Sequence, residues 1–350
     1  MDKLKEFYKN KKILITGHTG FKGIWLTSVL SFFNANIIGF SIKDEKSKNF
    51  NQCVNKKVLK SYFGNVQDYK FLEKVIKKNR PEIIFHLAAQ SLVIDGYKYP
   101  LETFRTNVLG TLNLLDICKN IRSAKSVVIV TSDKCYKNFG KLKSYKESDE
   151  LGGVDPYSAS KAGAEIISDC YLKSFFSKEN IGLATVRAGN VIGGGDWSKN
   201  RIVPDCIRSI YKNNHLILRN PNHIRPWQHV LDPINGYLIL AMKLFNNKNT
   251  FSGSWNFGPD YKEVKSVRSL VNLILKKNNK KTKITILKNN HHESSSIRLN
   301  SSKSRKKLLW RPKYNFQNSV DLTYDWYIKY LRHKISIIPN QIKNFYKVNI

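Results

Sequence analysis

Tyr157 and Lys161 stand four residues apart in Tyr157-Ser158-Ala159-Ser160-Lys161. On a helix that spacing puts both side chains on one face. An ammonium beside a phenol favours the phenolate and lowers the tyrosine pKa. A tyrosine tuned in this way can take a hydroxyl proton while hydride leaves for a nicotinamide. Tyr-x-x-x-Lys also occurs on ordinary surface helices, so the pair gains its meaning from what precedes it.

What precedes it is Gly17-His18-Thr19-Gly20-Phe21-Lys22-Gly23, set between a short β-branched run and a helical pattern. In a Gly-x-x-Gly-x-x-Gly loop Gly17 permits the tight turn, Gly20 lets the backbone approach a pyrophosphate, and Gly23 lets helix and strand pack closely. The helix N-terminus then faces the negative charge. Thr19, Phe21 and Lys22 share the loop and are expected cofactor contacts. An acidic residue about 20 positions on would hold the adenosine ribose. Here the second strand ends at Phe40-Ser41-Ile42-Lys43 and Asp44 comes slightly late. Ser41 and Lys43 can instead accept a 2′-phosphate, so these residues leave NAD versus NADP open.

Thr131-Ser132-Asp133-Lys134 ends the fourth predicted strand, and open α/β sheets place their chemistry at strand C-termini. Ser132 can hydrogen-bond a sugar hydroxyl and complete a Ser132/Tyr157/Lys161 set. Asp133-Lys134 reads in two ways. It is either a solvent-exposed ion pair on a turn, or the second acid/base pair that a dehydratase needs. In the latter case one group removes a carbon-bound proton and the other protonates the departing water. Spacing alone leaves both open.

The elements that must position these groups alternate. Residues 13–15, 36–40, 83–85, 126–131 and 182–187 read as strands, and residues 23–33, 68–78, 101–119 and 156–176 as helices. Strands alternating with helices predict an α/β, Rossmann-like, doubly wound parallel sheet covered on both faces. From about Gly193 the alternation loosens and Gly, Pro, Asn and Trp become frequent. Residues 1–192 are therefore expected to form mainly the NAD-binding domain. Residues 193–330 are expected to form mainly a smaller substrate-binding region, with some strands free to rejoin the main sheet. Residues 331–350 read as a C-terminal tail without a pattern that assigns an element.

Bulk properties fit a globular enzyme: 350 residues, 41% hydrophobic and 25% charged. Residues 24–33 are too short and too interrupted by Thr27, Ser28 and Ser31 to span a bilayer. Residues 1–12 lack the apolar middle of a secretory signal, so a cytoplasmic location is the default expectation. The formal charge is +34. Its lysines are mostly scattered, which favours compositional drift toward Lys and Asn over a nucleic-acid or membrane partner, and a positive field still attracts a nucleotide diphosphate. Five cysteines without a Cys-x-x-Cys pair are expected to be free thiols. No metal site is expected, and His291-His292-Glu293 reads as a polar loop.

Several stretches together resemble the CDP-glucose 4,6-dehydratases, a family of extended short-chain dehydrogenase/reductases. They are the residue 17–23 loop, His86-Leu87-Ala88-Ala89-Gln90, Asn107-Val108-Leu109-Gly110-Thr111, Ser132-Asp133-Lys134-Cys135-Tyr136 and Asp155-Pro156-Tyr157-Ser158. Further along come Arg187-Ala188-Gly189-Asn190-Val191-Ile192-Gly193-Gly194-Gly195-Asp196-Trp197, Arg225-Pro226-Trp227-Gln228-His229-Val230 and Trp255-Asn256-Phe257-Gly258-Pro259. The match runs over about residues 11–325. The glycines and the Tyr/Lys pair mark only the superfamily. The Asp133-Lys134 pair, the Gly-Gly-Gly-Asp-Trp segment and the Arg-Pro-Trp-Gln-His segment are much narrower.

The resemblance implies conversion of CDP-D-glucose to CDP-4-dehydro-6-deoxy-D-glucose and water, a step in deoxysugar and O-antigen-type polysaccharide biosynthesis, with NAD reduced and reoxidised in one site. It implies that Tyr157 takes the C4 hydroxyl proton and Lys134 the C5 proton, where dTDP-glucose relatives use a glutamate. A neutral lysine base needs burial or nearby positive charge, with Lys161 a contributor. Asp133 is implied as the acid for the C6 hydroxyl, which needs a raised pKa. Implied cofactor contacts are Asn65 and Val66 (Asn65 standing where relatives often carry Asp for the adenine), Ala88, Ala89, Gln90 and Asn107. Implied substrate contacts are Asn190, Arg201, Arg219, Arg225, Trp227 and His229, the arginines because guanidinium matches phosphate geometry. The family suggests a homo-oligomer, dimer or tetramer, packed through residues 101–119 and 156–176. The rivals are a nucleotide-sugar 4-epimerase, which gives Asp133-Lys134 no chemical role, and a non-catalytic nucleotide sensor or nucleic-acid-binding regulator on the same fold.

Overall fold

A computed structural model describes residues 2–43, 53–138, 143–212, 215–278, 282–287 and 296–347. Asp44 and the residue 291–293 loop lie outside the described residues.

Seven strands form one parallel sheet: β1 (Lys12–Thr16), β2 (Asn36–Ser41), β3 (Leu59–Phe63), β4 (Ile83–His86), β5 (Ser126–Val130), β6 (Gly182–Ala188) and β7 (Gly253–Phe257). Their spatial order is β3-β2-β1-β4-β5-β6-β7, the doubly wound arrangement that the alternating pattern predicts. The register runs through the centre, with Leu14 beside Ile38 on one side and Ile84 on the other. Central strands bury both faces, which is why β5 reads Ser-Val-Val-Ile-Val and β6 is buried along its whole length.

β7 comes from the second half of the chain and pairs with β6, from Gly253 beside Ala184 to Phe257 beside Ala188. Part of residues 193–330 thus completes the main sheet. β3 was not anticipated. It is an edge strand, with Lys60, Ser61 and Phe63 exposed, so it lacks the apolar run of its neighbours.

The helices that carry the motifs are α1 (Phe21–Phe32), α2 (Tyr69–Asn79), α3 (Gly110–Lys119), α4 (Pro156–Tyr171) and α5 (Leu231–Asn246). Their starts differ in an informative way. Asp68 caps α2 by accepting from Phe71 N at 3.0 Å, and Asp155 caps α4 by accepting from Ser158 N at 2.9 Å, with Pro156 in the first turn. α1 begins at Gly20 with no side-chain cap, so its first N–H groups remain for another acceptor. The expected single helix over 101–119 contains a π turn at Arg105–Leu109 between Pro100–Phe104 and α3. α4 likewise passes into a π turn at Leu172–Phe176.

The largest hydrophobic cluster lies between the sheet, α1, α5 and the C-terminal helices. α1 is apolar nearly all round because it is covered on two sides. The tail supplies one of the covers. Residues 331–350 are more than a tail, because Ile338–Lys347 is a helix whose Ile338, Ile342, Phe345 and Tyr346 are buried, with the Tyr346 ring 5.0 Å from that of Phe33. Asp2–Tyr8 is also helical, and buried Tyr8 donates to Leu238 O at 2.7 Å. The Gly-rich residues 193–195 run close over Trp326. A Cβ on Gly194 would fall 2.0 Å from Trp326 Cγ, and Trp25 Nε1 donates to Gly194 O at 2.9 Å. Among the described residues no helix is long and apolar enough to cross a membrane, and no group of three or more His, Cys, Asp or Glu can hold a metal ion. All five cysteines are free.

Candidate active site

A cavity of about 940 Å³ opens along the carboxyl ends of β1, β2, β4, β5 and β6. That lies near the top of the roughly 300–1,000 Å³ span of small-molecule sites, and it sits at the crevice that open α/β sheets use for ligands.

The first wall is the residue 17–23 loop. Gly17 has φ +73°, and a Cβ there would lie 2.7 Å from Ala88 N. A Cβ on Gly23 would lie 2.0 Å from Gly17 O. Gly17 and Gly23 are therefore demanded by the protein itself. Gly20 is different, since its Cβ would meet only Gly17 O at 3.3 Å. The space beside Gly20, at an uncapped helix start, fits a pyrophosphate. Thr19, Phe21, Lys22, Ser41, Asn65, Val66, Ala88, Ala89 and Gln90 line the same cavity. Thr19 Oγ1 and Ser41 Oγ are 2.7 Å apart, which ties the loop to the end of β2. Asn65 Oδ1 accepts from Gln67 N at 3.0 Å, shaping the turn after β3.

Asn107 does not line the cavity. It is buried behind it, accepting from Gln90 N at 2.9 Å and donating to Gln90 O at 3.0 Å and Ser160 Oγ at 2.8 Å. It pins the Ala88-Ala89-Gln90 loop to α4. His229 likewise leaves the lining. It is fully buried between Trp25 and Tyr314, both ring centroids 5.4 Å away, and burial pulls its imidazole down to about 3. Both were expected to touch ligand, and both instead hold the walls in place.

Opposite the loop, Ser132, Asp133 and Lys134 form the turn after β5, facing Tyr157 and Lys161 on α4. Ser132 Oγ donates to Asp133 Oδ1 at 3.0 Å and accepts from Lys134 N at 3.2 Å, and its hydroxyl favours the Tyr157 phenolate. Asp133 Oδ2 is buried with no protein partner. Burial pushes the Asp133 carboxyl up, against the opposing pull of Lys134, the Ser132 hydroxyl, Arg225 and Lys22. Asp133 is not the solvent-exposed half of a surface ion pair. It is 3% exposed.

The expected lowering of the Tyr157 pKa is reversed in the protein alone. Burial pushes the phenol up to about 12, outweighing the Ser132 hydrogen bond and the charge of Arg201. Burial also pulls Lys161 down to about 8, with the Glu165 carboxylate working the other way, and Lys161 Nζ donates to Val130 O at 3.3 Å. Desolvation thus dominates both partners and weakens the cation that was expected to stabilise the phenolate. Lys22 is also drawn down to about 8, by burial first and then by Arg201 and Lys161.

The far wall holds Asn190, Arg201, Arg219, Arg225 and Trp227. Arg201 bridges the two halves of the chain. It pairs with Asp196 Oδ2 at 3.0 Å and donates to Ser91 Oγ at 3.1 Å, on the loop after β4. Arg225 is 3% exposed and Trp227 donates to Lys265 O at 3.0 Å.

Sequence reading missed the layer beneath. Glu165 and Arg187 form an ion pair at 2.7 Å with both side chains buried. Burial raises the Glu165 carboxyl, but Arg187 outweighs it and holds it below its ordinary value. The signal was present, since Glu165 follows Lys161 by four residues and so shares its helix face. His86, between Thr16 Oγ1 at 2.8 Å and Thr111 Oγ1 at 3.3 Å, is pulled down to about 3 by burial and then by Lys161.

Comparison with known proteins agrees with this geometry. Residues 14–323 match the family model described as GDP-mannose 4,6 dehydratase. The chain is 39% identical over 341 residues to the CDP-glucose 4,6-dehydratase of Salmonella typhimurium, covering 95% of each. The dTDP-glucose 4,6-dehydratase of Bacillus anthracis, solved in complex with NAD, is 25% identical with a TM-score of 0.77 over 92% of this chain and 98% of that one. An epimerase of Methanothermobacter thermautotrophicus, 20% identical, superposes with a TM-score of 0.82 over 95% of this chain and 96% of its own, a likeness of fold.

Proposed function

We propose, from the premise that the chain belongs to the GDP-mannose 4,6 dehydratase family, that it removes water from CDP-D-glucose to give CDP-4-dehydro-6-deoxy-D-glucose. The nucleobase rests on the 39% identity to the Salmonella enzyme. The elimination rests on one observation above the others, the buried Asp133 in the lining of the same cavity as Tyr157, with an Oδ2 that has no protein partner. An epimerase leaves the C6 hydroxyl in place and has no use for a buried acid there.

NAD, when bound, supplies reversible hydride storage, so that C4 is oxidised first and C6 reduced last. The chain's own residues would hold it through the residue 17–23 loop, Ser41, Asn65, Val66 and Ala88 to Gln90. Tyr157 takes the proton from the C4 hydroxyl, with Ser132 in the same cavity lining to orient the same oxygen. Because Tyr157 lies at about 12 in the protein alone, this transfer needs added positive charge or a shared proton in the loaded site. Lys161 holds the tyrosine side of the exchange from one turn along α4. The C4 ketone acidifies the C5 proton, which Lys134 removes. Asp133, its carboxyl pushed up by burial, delivers its proton to the C6 oxygen as water leaves. Arg219 and Arg225 take the diphosphate, while Asn190, Arg201 and Trp227 shape the sugar end of the cavity.

The same proposal extends to assembly. Leu101, Phe104, Leu109, Ile166 and Phe175 are exposed apolar residues on the two helical stretches expected to pack across subunits, which supports a homo-oligomer. Light scattering on the purified chain tests it, and a monomer would sink this extension.

The function is tested by incubating the protein with NAD and, separately, CDP-glucose, dTDP-glucose and UDP-glucose, followed by mass spectrometry. Loss of one water from CDP-glucose alone is the expected result. Loss from another donor keeps the elimination and changes the base. Conversion without loss of mass would replace the dehydratase reading with an epimerase.

A further inference from the structure

The Glu165–Arg187 pair is the only ion pair among the described residues that is buried on both sides. Such pairs are expensive in desolvation, and an apolar pair of similar volume often serves stability as well or better. Its contacts say what else it does. Glu165 follows Tyr157 by eight residues and Lys161 by four, so all three share one face of α4. The Glu165 carboxylate accepts from Thr131 Oγ1, from Thr185 Oγ1 at 2.6 Å, and from Arg187 Nε at 3.0 Å and Nη2 at 2.7 Å. Thr131 immediately precedes Ser132, and its N–H is held by Val186 O at 3.0 Å.

Arg187 reaches in the other direction. Its Nη1 donates to Tyr136 Oη at 2.7 Å and its Nη2 to Ser254 Oγ on β7 at 2.9 Å. Tyr136 closes the Asp133–Cys135 turn and donates to Asn256 Oδ1 at 2.8 Å. Thr131 and Tyr136 flank the segment Ser132-Asp133-Lys134-Cys135. One end is held by Glu165 and the other by Arg187.

We infer that the Glu165–Arg187 pair is a positioning device, gripping the Ser132-Asp133-Lys134 turn at both ends and fixing it to the helix that presents Tyr157 and Lys161. The inference rests on the reading of those residues as the proton-handling groups. Glu165 and Arg187 touch neither substrate nor cofactor and act through the turn. The two halves of the machinery arise on separate elements, β5 and α4, and a 1 Å slip between them would misplace every proton transfer.

Thr131→Val and Tyr136→Phe each remove one tether and leave the ion pair intact, so they spare the fold that Glu165→Ala would endanger. Each is expected to lower kcat by about 10- to 100-fold, with KM for CDP-glucose changed by less than about threefold. Their crystal structures are expected to show Ser132 and Asp133 displaced relative to Tyr157. Glu165→Gln adds a readout that a purely structural role would not move. The charged and titratable groups around Lys161 are Tyr157 and Glu165 on its own helix, Cys135 on the turn, Lys22 on α1 and His86 on β4. Removing the Glu165 charge takes away the main anion favouring the Lys161 ammonium, so the limb of the pH–rate profile that needs that ammonium is expected to move to lower pH.

Well-folded Thr131→Val and Tyr136→Phe proteins with Ser132 and Asp133 in their original places, or with turnover within about twofold of wild type, would overturn the inference. Failure of the wild-type protein to dehydrate CDP-glucose would instead sink the functional reading, and the side-chain positions in the variants would still decide this one.

Discussion

The Ser132 hydroxyl and the Asp133 carboxyl are joined at 3.0 Å through Oδ1, which leaves Oδ2 of Asp133 buried without a protein partner. The same serine hydroxyl favours the Tyr157 phenolate. This arrangement couples the group that starts the proposed reaction to the group that ends its elimination.

Asp133→Asn keeps the shape of the side chain and removes its proton. Turnover should fall about 10²- to 10⁴-fold, the usual worth of a positioned acid. The pH dependence carries the sign. The acid form is the active one, so wild-type turnover should fall as pH rises through the Asp133 pKa, which burial has raised. The residual rate of Asp133→Asn should lack that limb. A pH–rate profile of the two proteins checks it, and an unchanged limb in the variant would assign the acid elsewhere.

Lys134→Ala should leave the first oxidation intact and block removal of the C5 proton. Steady-state turnover is expected to drop about 10²- to 10⁴-fold, while the absorbance of reduced nicotinamide builds up in a single turnover. Tyr157→Phe should abolish both signals. Normal turnover in Lys134→Ala would remove the lysine from its role.

Gly20→Ala separates binding from folding. Its Cβ meets no protein atom closer than Gly17 O at 3.3 Å, so stability should change by less than about 1 kcal/mol. The same methyl group intrudes where the pyrophosphate approaches, and NAD affinity should weaken by about tenfold or more, equivalent to at least 1.4 kcal/mol. Gly23→Ala should do worse and differently, because its Cβ would lie 2.0 Å from Gly17 O and the loop itself must move. Calorimetric titration with NAD beside thermal melts distinguishes the two, and unimpaired NAD binding by Gly20→Ala would move the pyrophosphate off this loop.

What the sequence made legible follows from how each feature is encoded. β1, β4, β5 and β6 are buried on both faces and show as apolar runs. β3 escaped because an edge strand with Lys60 and Ser61 has no such run. The C-terminal helix carried Ile338, Ile342, Phe345 and Tyr346 at helical spacing, a pattern that its polar, lysine-rich context hid. Motif membership located the cavity walls but not which side of a wall a residue faces. Asn107 and His229 sit in matching stretches and point into the protein rather than toward ligand. The Tyr157 pKa was misjudged for a related reason, since Tyr157 and Lys161 can be paired from spacing while their shared desolvation cannot be seen there.

Asp232 offers a test of the core remote from the chemistry. It sits in the first turn of α5, 1% exposed, accepting from Lys313 N at 2.7 Å and Tyr314 N at 3.4 Å. Burial pushes its carboxyl up to about 7, against those two N–H groups and the Lys313 charge. An unfolded aspartate titrates near about 3.9. Between about pH 4 and 7 the folded chain therefore holds a proton that the unfolded chain has lost, and this site's contribution to stability falls as pH rises through that window. His18, His86 and His229, lowered to about 4, 3 and 3, work the other way, because they stay neutral when folded and take up protons when unfolded. The wild-type curve mixes both effects, and Asp232→Asn separates them. An amide is neutral at every pH and keeps an oxygen for Lys313 N, so the variant should gain on wild type by about 2–3 kcal/mol between about pH 5 and pH 8. Urea unfolding of both proteins at the two pH values measures that difference. A flat difference would mean that Asp232 is already ionised in the folded core, with the two backbone N–H groups and Lys313 outweighing its burial.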